Sequence, residues 1–127
     1  MDAKRLMKLM KAIAVLNPEG FTFSPSEKRY PRKGYVVASG HTQDCIGRTG
    51  LFRVVKFYLQ HTDYCIGGWR NEEGSMQYDA SKVYDSLEEA VKAAIANQQR
   101  AFYNLYTNCE ITSSEYFRFL GKNENAA

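Results

Sequence analysis

Two short segments of this chain echo each other. His41-Thr42-x-x-Cys45-Ile46-Gly47 returns as His61-Thr62-x-x-Cys65-Ile66-Gly67, with each histidine four residues before a cysteine. These are the chain's two histidines, and they leave Cys109 as the spare thiol. Imidazole nitrogen and thiolate sulfur are ligands of tetrahedral Zn²⁺, so His41, Cys45, His61 and Cys65 have the composition of a structural zinc site. Neither half carries the tight C-x₂-C knuckle that makes such a site recognisable. The same residues suit a Cys–His nucleophile, in which a thiolate attacks and imidazole takes the proton. The Gly47–Gly50 turn would then offer backbone N–H groups to an oxyanion. Without metal or base, they are two surface histidines and two cysteines serving as small apolar side chains. The expectation is a chain with no cofactor, zinc at those four residues being the alternative.

Binding chemistry has its own candidates. Residues 1–33 hold eight Lys/Arg against Asp2, Glu19 and Glu27, whereas the rest of the chain is slightly acidic. The densest run is Lys28-Arg29-Tyr30-Pro31-Arg32-Lys33. Lys28, Arg29, Arg32 and Lys33 would neutralise phosphates while Tyr30 stacks on a base; the plainer reading is a solvated basic loop. Gly67-Gly68-Trp69 reads as a strand whose glycines admit a close backbone approach, with Trp69 packed over the gap or facing a partner. Tyr78, on the returning strand, is expected beside Trp69 in a shallow aromatic platform. No nucleophile elbow, Walker loop, dinucleotide fingerprint, zincin motif or EF-hand loop is present.

These residues need elements to hold them. Leu6, Leu9, Met10, Ile13 and Leu16 recur at helical spacing, which predicts an amphipathic helix over about residues 3–16, stopped by Asn17-Pro18. Tyr35–Ala38 reads as a strand and Leu51–Leu59 as a helix capped near Thr49. Tyr64–Trp69 and Met76–Tyr84 read as a hairpin across the polar loop 70–75. Ser86-Leu87-Glu88-Glu89 is a capping box opening a helix that fades at Asn97. Ala101–Tyr106 supplies a fourth strand. Thr112-x-x-Glu115 opens a short final helix ended by Gly121. The order β-α-β-β-α-β predicts an α+β fold, a four-stranded ferredoxin-like (split βαβ) sheet with an added N-terminal helix and a short C-terminal one. One domain is expected over 1–121, with an N-terminal helix and basic linker at 1–33, the sheet core at 34–111 and a frayed tail at 122–127.

Length and composition agree with one such domain. The chain has 127 residues, 44% hydrophobic and 24% charged, which excludes disorder and coiled coil. No apolar run approaches the roughly 18 residues of a membrane span, and three cysteines point to a reducing, cytoplasmic compartment. The segment from Gly34 to Ile111 resembles small α+β proteins or domains of bacterial phages and conjugative elements. The likeness lies in Gly34-Tyr35-x-Val37, Thr42-Gln43, Gly67-Gly68-Trp69, Tyr78-Asp79 and the Leu87–Gln98 helix. It implies a habitat on mobile genetic elements, and Gln43, within the shared pattern, joins the binding residues. The expected function is a non-catalytic accessory module that engages a protein partner, or itself, through an aromatic sheet surface. A nucleic-acid module using the basic arm is one alternative; a zinc-stabilised or Cys/His-dependent enzyme is the other.

Overall fold

The computed structural model describes residues 1–120. Helix α1 (Ala3–Leu16) begins where the Asp2 carboxylate accepts from the Arg5 N–H at 2.8 Å, satisfying a donor that the first turn leaves free. Asn17 closes it, donating from its side chain to the Ile13 carbonyl at 2.9 Å. The chain continues through β1 (Gly20–Phe23), β2 (Tyr35–Ala38), a 3₁₀ turn (Gly40–Thr42) and β3 (Cys45–Ile46). Helix α2 (Gly47–Gln60) follows, then β4 (Cys65–Arg70), β5 (Met76–Tyr84) and α3 (Leu87–Ala96). The Ser86 hydroxyl caps α3 by accepting from the Glu89 N–H. Strands β6 (Ala101–Asn104) and β7 (Cys109–Thr112) lead into a second 3₁₀ turn (Ser113–Glu115) and helical residues 116–120. The helix end expected at Gly121 and the tail at 122–127 lie outside the described residues.

The fold is α+β, but the four-stranded ferredoxin-like sheet expected from the sequence is not formed. Instead, among the described residues seven strands make one antiparallel sheet in the order β1-β4-β5-β2-β6-β7, with β3 also against β5. The sheet curls into a half-barrel. A split βαβ arrangement needs parallel neighbours joined by crossovers, and every pairing here is antiparallel. Three short strands change the topology. β1 and β7 occupy the two ends of the sheet order, and β3 continues the edge that β2 begins. Residues 1–33, expected as a helix and a basic linker of the domain, also supply a strand: α1 lies against α2, and β1 pairs with β4.

Strand β5 organises the rest. Its residues 76–81 pair with β4, and residues 81–84 pair with β2 on the opposite edge, so the two neighbours overlap only at Ser81. Side chains alternate across a strand. Tyr78, Ala80 and Tyr84 therefore face the helices, while Gln77, Asp79 and Ser81 face away. Under one half of β5, α1 and α2 bury Leu6, Met10, Val54 and Ile66; under the other, α3 buries Val91 and Ala94 against Val37 and Phe102. Each fully buried aliphatic side chain of this kind contributes roughly 1.5–3 kcal/mol.

Two glycines bind α2 to the sheet differently. Gly50 lies on the backbone of Cys45, where an added Cβ would meet the carbonyl carbon at 2.1 Å. Gly47 opens the helix at φ +66° with open space around it. Gly50→Ala should therefore cost about 3 kcal/mol or prevent folding. Gly47→Ala should cost about 1 kcal/mol, the ordinary penalty of the left-handed region. Urea denaturation of the two variants checks the ranking.

Candidate functional site

Because the helices occupy one side of the sheet, the concave side is left open. It forms a groove of about 1160 Å³, larger than most small-ligand pockets. Pairing register orders its floor. Trp69 lies beside Gln77, Gly67 beside Asp79, Ser81 beside Ala38, and Val36 beside Tyr103. The aromatic side chains thus stand toward the ends, and the polar ones lie between. Trp69 is 46% exposed.

The middle of the groove is made by an irregularity. Between β2 and β3 the chain leaves the edge of β5 for residues 39–44. Ser39 N–H donates to the Ala80 carbonyl at 2.7 Å, and the buried Thr42 hydroxyl accepts from the Ala80 N–H at 3.0 Å. A side chain here replaces a rung of the ladder. On the other edge, Gly67 contributes no side chain, and Asp79 Oδ1 lies 2.7 Å from where a Cβ on Gly67 would stand. Gly68 is equally constrained on the helix side by the Phe21 ring, 2.5 Å from its own would-be Cβ. The close approach read from this glycine pair is made by a carboxylate on one face and an aromatic ring on the other.

Asp79 lies in the groove without a cation; the described salt bridges join other residues. Burial pushes its carboxyl up to about 6, and the neighbouring Ser81 hydroxyl draws it back only in part. Ser81 is 1% exposed, and among the described residues its Oγ makes no hydrogen bond within 3.5 Å, although it lies close enough to the Asp79 carboxylate to favour the ionised form. A desolvated carboxyl and an unsatisfied hydroxyl therefore sit two residues apart on one strand face. Both are groups for which burial is unfavourable until a partner is supplied.

The residues singled out from the sequence are dispersed. Trp69 and Gln43 line the groove, as does Tyr30. Tyr30 is held at the rim by an edge contact with Phe23 and a hydrogen bond from Asn17. Tyr78 turns the other way: its register partner is Gly68, and its ring packs in the helix-side core against Phe21. It is 6% exposed, so the platform with Trp69 is not formed. Lys28, Arg29, Arg32 and Lys33 are exposed on the turn between β1 and β2, Arg29 paired with Glu27 at 3.0 Å.

The repeated histidines and cysteines do not converge. Among the described residues, no three His, Cys, Asp or Glu side chains gather to hold a metal ion. His41 and His61 both stack on Phe57, at ring-centroid distances of 5.8 and 4.4 Å. Cys45 is buried toward the helices, donating weakly to the Gln43 carbonyl, and Cys65 is buried on the sheet. Burial raises the Cys45 thiol and pushes that of Cys65 up to about 11. Both are held as thiols, the unreactive form.

Sequence reasoning missed Asp79 and Ser81 as a pair, although a signal was present. Met76-Gln77-Tyr78-Asp79-Ala80-Ser81 alternates apolar and polar residues, the pattern of a strand with one polar face. Compared with known proteins, the chain matches no family model, no curated protein and no solved structure. No helix among the described residues is long and apolar enough to cross a membrane.

Two expectations follow from these burials. A carboxyl with a raised folded value stabilises the fold only while protonated. The Asp79 contribution should be complete below about pH 4 and lost as pH rises through 6, a change of at most about 3 kcal/mol. Asp79→Asn should flatten that part of the pH–stability curve and raise stability at pH 7.5, as denaturant midpoints will show. For the thiols, alkylation of the native chain should label exposed Cys109 at least tenfold faster than Cys45 or Cys65. Peptide mapping by mass spectrometry reads the sites.

Proposed function

We propose that this chain is a non-catalytic binding module that takes an extended segment of a partner protein into the open groove of its sheet. The observation that carries the reading is the one-sided packing: α1, α2, α3 and the helical residues 116–120 cover one face, and the other is a groove of about 1160 Å³ with aromatic ends and a polar middle. From Gln77 to Ser81 the β5 floor runs about 13 Å, the length of roughly four extended residues. Exposed aromatic residues flanking buried polar groups are the composition of a recognition surface.

Charge favours a peptide over a nucleic acid. Glu19, Asp44, Asp79 and Glu110 line the groove against Arg70 and Arg100. Arg70 is already committed, donating to the Pro18 carbonyl at 2.9 Å and to Gly74. Such a lining repels phosphates. The basic residues Lys28, Arg29, Arg32 and Lys33 are outside the groove lining. An accessory role on a mobile genetic element rests on the sequence resemblance alone.

Selection of displayed random decapeptides on the full chain tests the reading. Peptides should enrich on the wild type and shift the fluorescence of Trp69, the single tryptophan. Trp69→Ala should weaken them at least tenfold, the loss expected of an aromatic anchor. Two results overturn the reading. One is no enrichment, with light scattering showing self-association. The other is salt-sensitive retention of single-stranded oligonucleotides that Arg29→Ala with Lys33→Ala abolishes.

A further inference from the structure

The groove has one corner whose chemistry is more specific than the rest. Asp79 presents a carboxylate with no described cation partner. Ser81, on the same strand face, is 1% exposed and lines the groove, its Oγ beside the Asp79 carboxylate and making no hydrogen bond within 3.5 Å among the described residues. Gln77 adds an amide oxygen in the same row, and Trp69 pairs with Gln77 from the adjacent strand, half exposed at the mouth. Gly67 keeps the floor between Trp69 and Asp79 free of any side chain. The corner is rich in acceptors and flanked by an aromatic face.

We propose that this corner is the anchor subsite of the groove, where Asp79 and Ser81 receive the guanidinium of one arginine side chain of the bound segment and the Trp69 indole packs against it. The proposal rests on the peptide reading above and deepens it. Acceptors two residues apart on a strand face stand about 6.5 Å apart at their Cβ atoms. A guanidinium carries five N–H donors in a planar fork and addresses both positions at once, whereas an ammonium is a compact point charge. Its planar face also suits stacking on an indole. The weak hydration of guanidinium lowers the cost of entering a partly buried corner. The raised Asp79 carboxyl is what such a corner has before its cation arrives.

Nuclear magnetic resonance titration of the full chain with ethylguanidinium tests the anchor apart from the peptide. Ethylammonium and sodium chloride at equal ionic strength are the comparisons. Saturable shifts are expected at the Trp69 indole N–H, the Gly67 amide and residues 77–81. Binding should weaken at least tenfold in Asp79→Asn and about threefold in Ser81→Ala, and ethylammonium should bind less tightly than ethylguanidinium. Asp79→Asn removes a desolvated charge and is expected to fold, which circular dichroism checks. Shifts that fail to saturate, that persist unchanged in Asp79→Asn, or that ethylammonium reproduces with equal affinity overturn the proposal. Selected peptides separate it from the broader reading. Enriched sequences whose affinity ignores replacement of arginine by citrulline remove the anchor and leave the groove. A saturating guanidinium shift with no peptide enriched keeps the anchor and removes the peptide.

Discussion

Everything in this fold depends on the offset pairing of β5. The strand is nine residues long; on one edge β4 pairs along 76–81, and on the other β2 pairs along 81–84 and β3 along 77–78. The longest partners, β4 and β2, are staggered along the strand and overlap only at Ser81, with β3 extending the β2 edge across from β4. Each half of the sheet receives its own helices, α1 and α2 under one and α3 under the other. Sheets twist in a fixed sense, and staggering the halves along a shared strand accompanies the curl. The groove is the concave consequence of that arrangement.

The position where the halves meet is also where polar burial is least satisfied. Ser81 is the residue that both β4 and β2 reach, and among the described residues its hydroxyl makes no hydrogen bond within 3.5 Å, with the Asp79 carboxylate beside it. Next to it, the excursion of residues 39–44 takes the backbone edge away from Asp79, and Thr42 supplies the missing acceptor for Ala80. A chain selected only for stability would fill this corner with apolar atoms, since unsatisfied buried groups each cost on the order of 1–3 kcal/mol. Sites that bind are where such conflicts collect.

The repeated His-x₃-Cys segments illustrate the opposite case, a pattern with the appearance of chemistry and a packing role. Each cysteine opens a strand, β3 or β4, and each histidine sits before it. The histidines stack on the same Phe57 ring, whose edge also meets Tyr64. The repetition thus reflects two chain segments entering the sheet from the same helix α2 neighbourhood. Ligand types and spacing set what a metal site requires; only convergence of the side chains makes one, and here they stack on an aromatic ring.

The sequence by itself determined the local elements. The 3.6-residue stripes of Leu6, Met10 and Ile13 and of Ala90, Val91 and Ala94 appear as helices α1 and α3, and the Ser86 cap and the hairpin between β4 and β5 are also where local chemistry put them. Such signals act over one to three turns of chain, so they are readable in a window. Strands β1, β3 and β7 were not readable, because two to four residues carry too little alternation to identify a strand, and the partners of β1 and β3 lie far along the chain. Without them the sheet had the wrong neighbours, and Tyr78 was assigned to the face of Trp69. The groove, the Asp79–Ser81 corner and the dispersal of the histidines and cysteines were decided by tertiary structure. Which face a strand residue takes depends on register, and register is set by contacts that no local pattern contains.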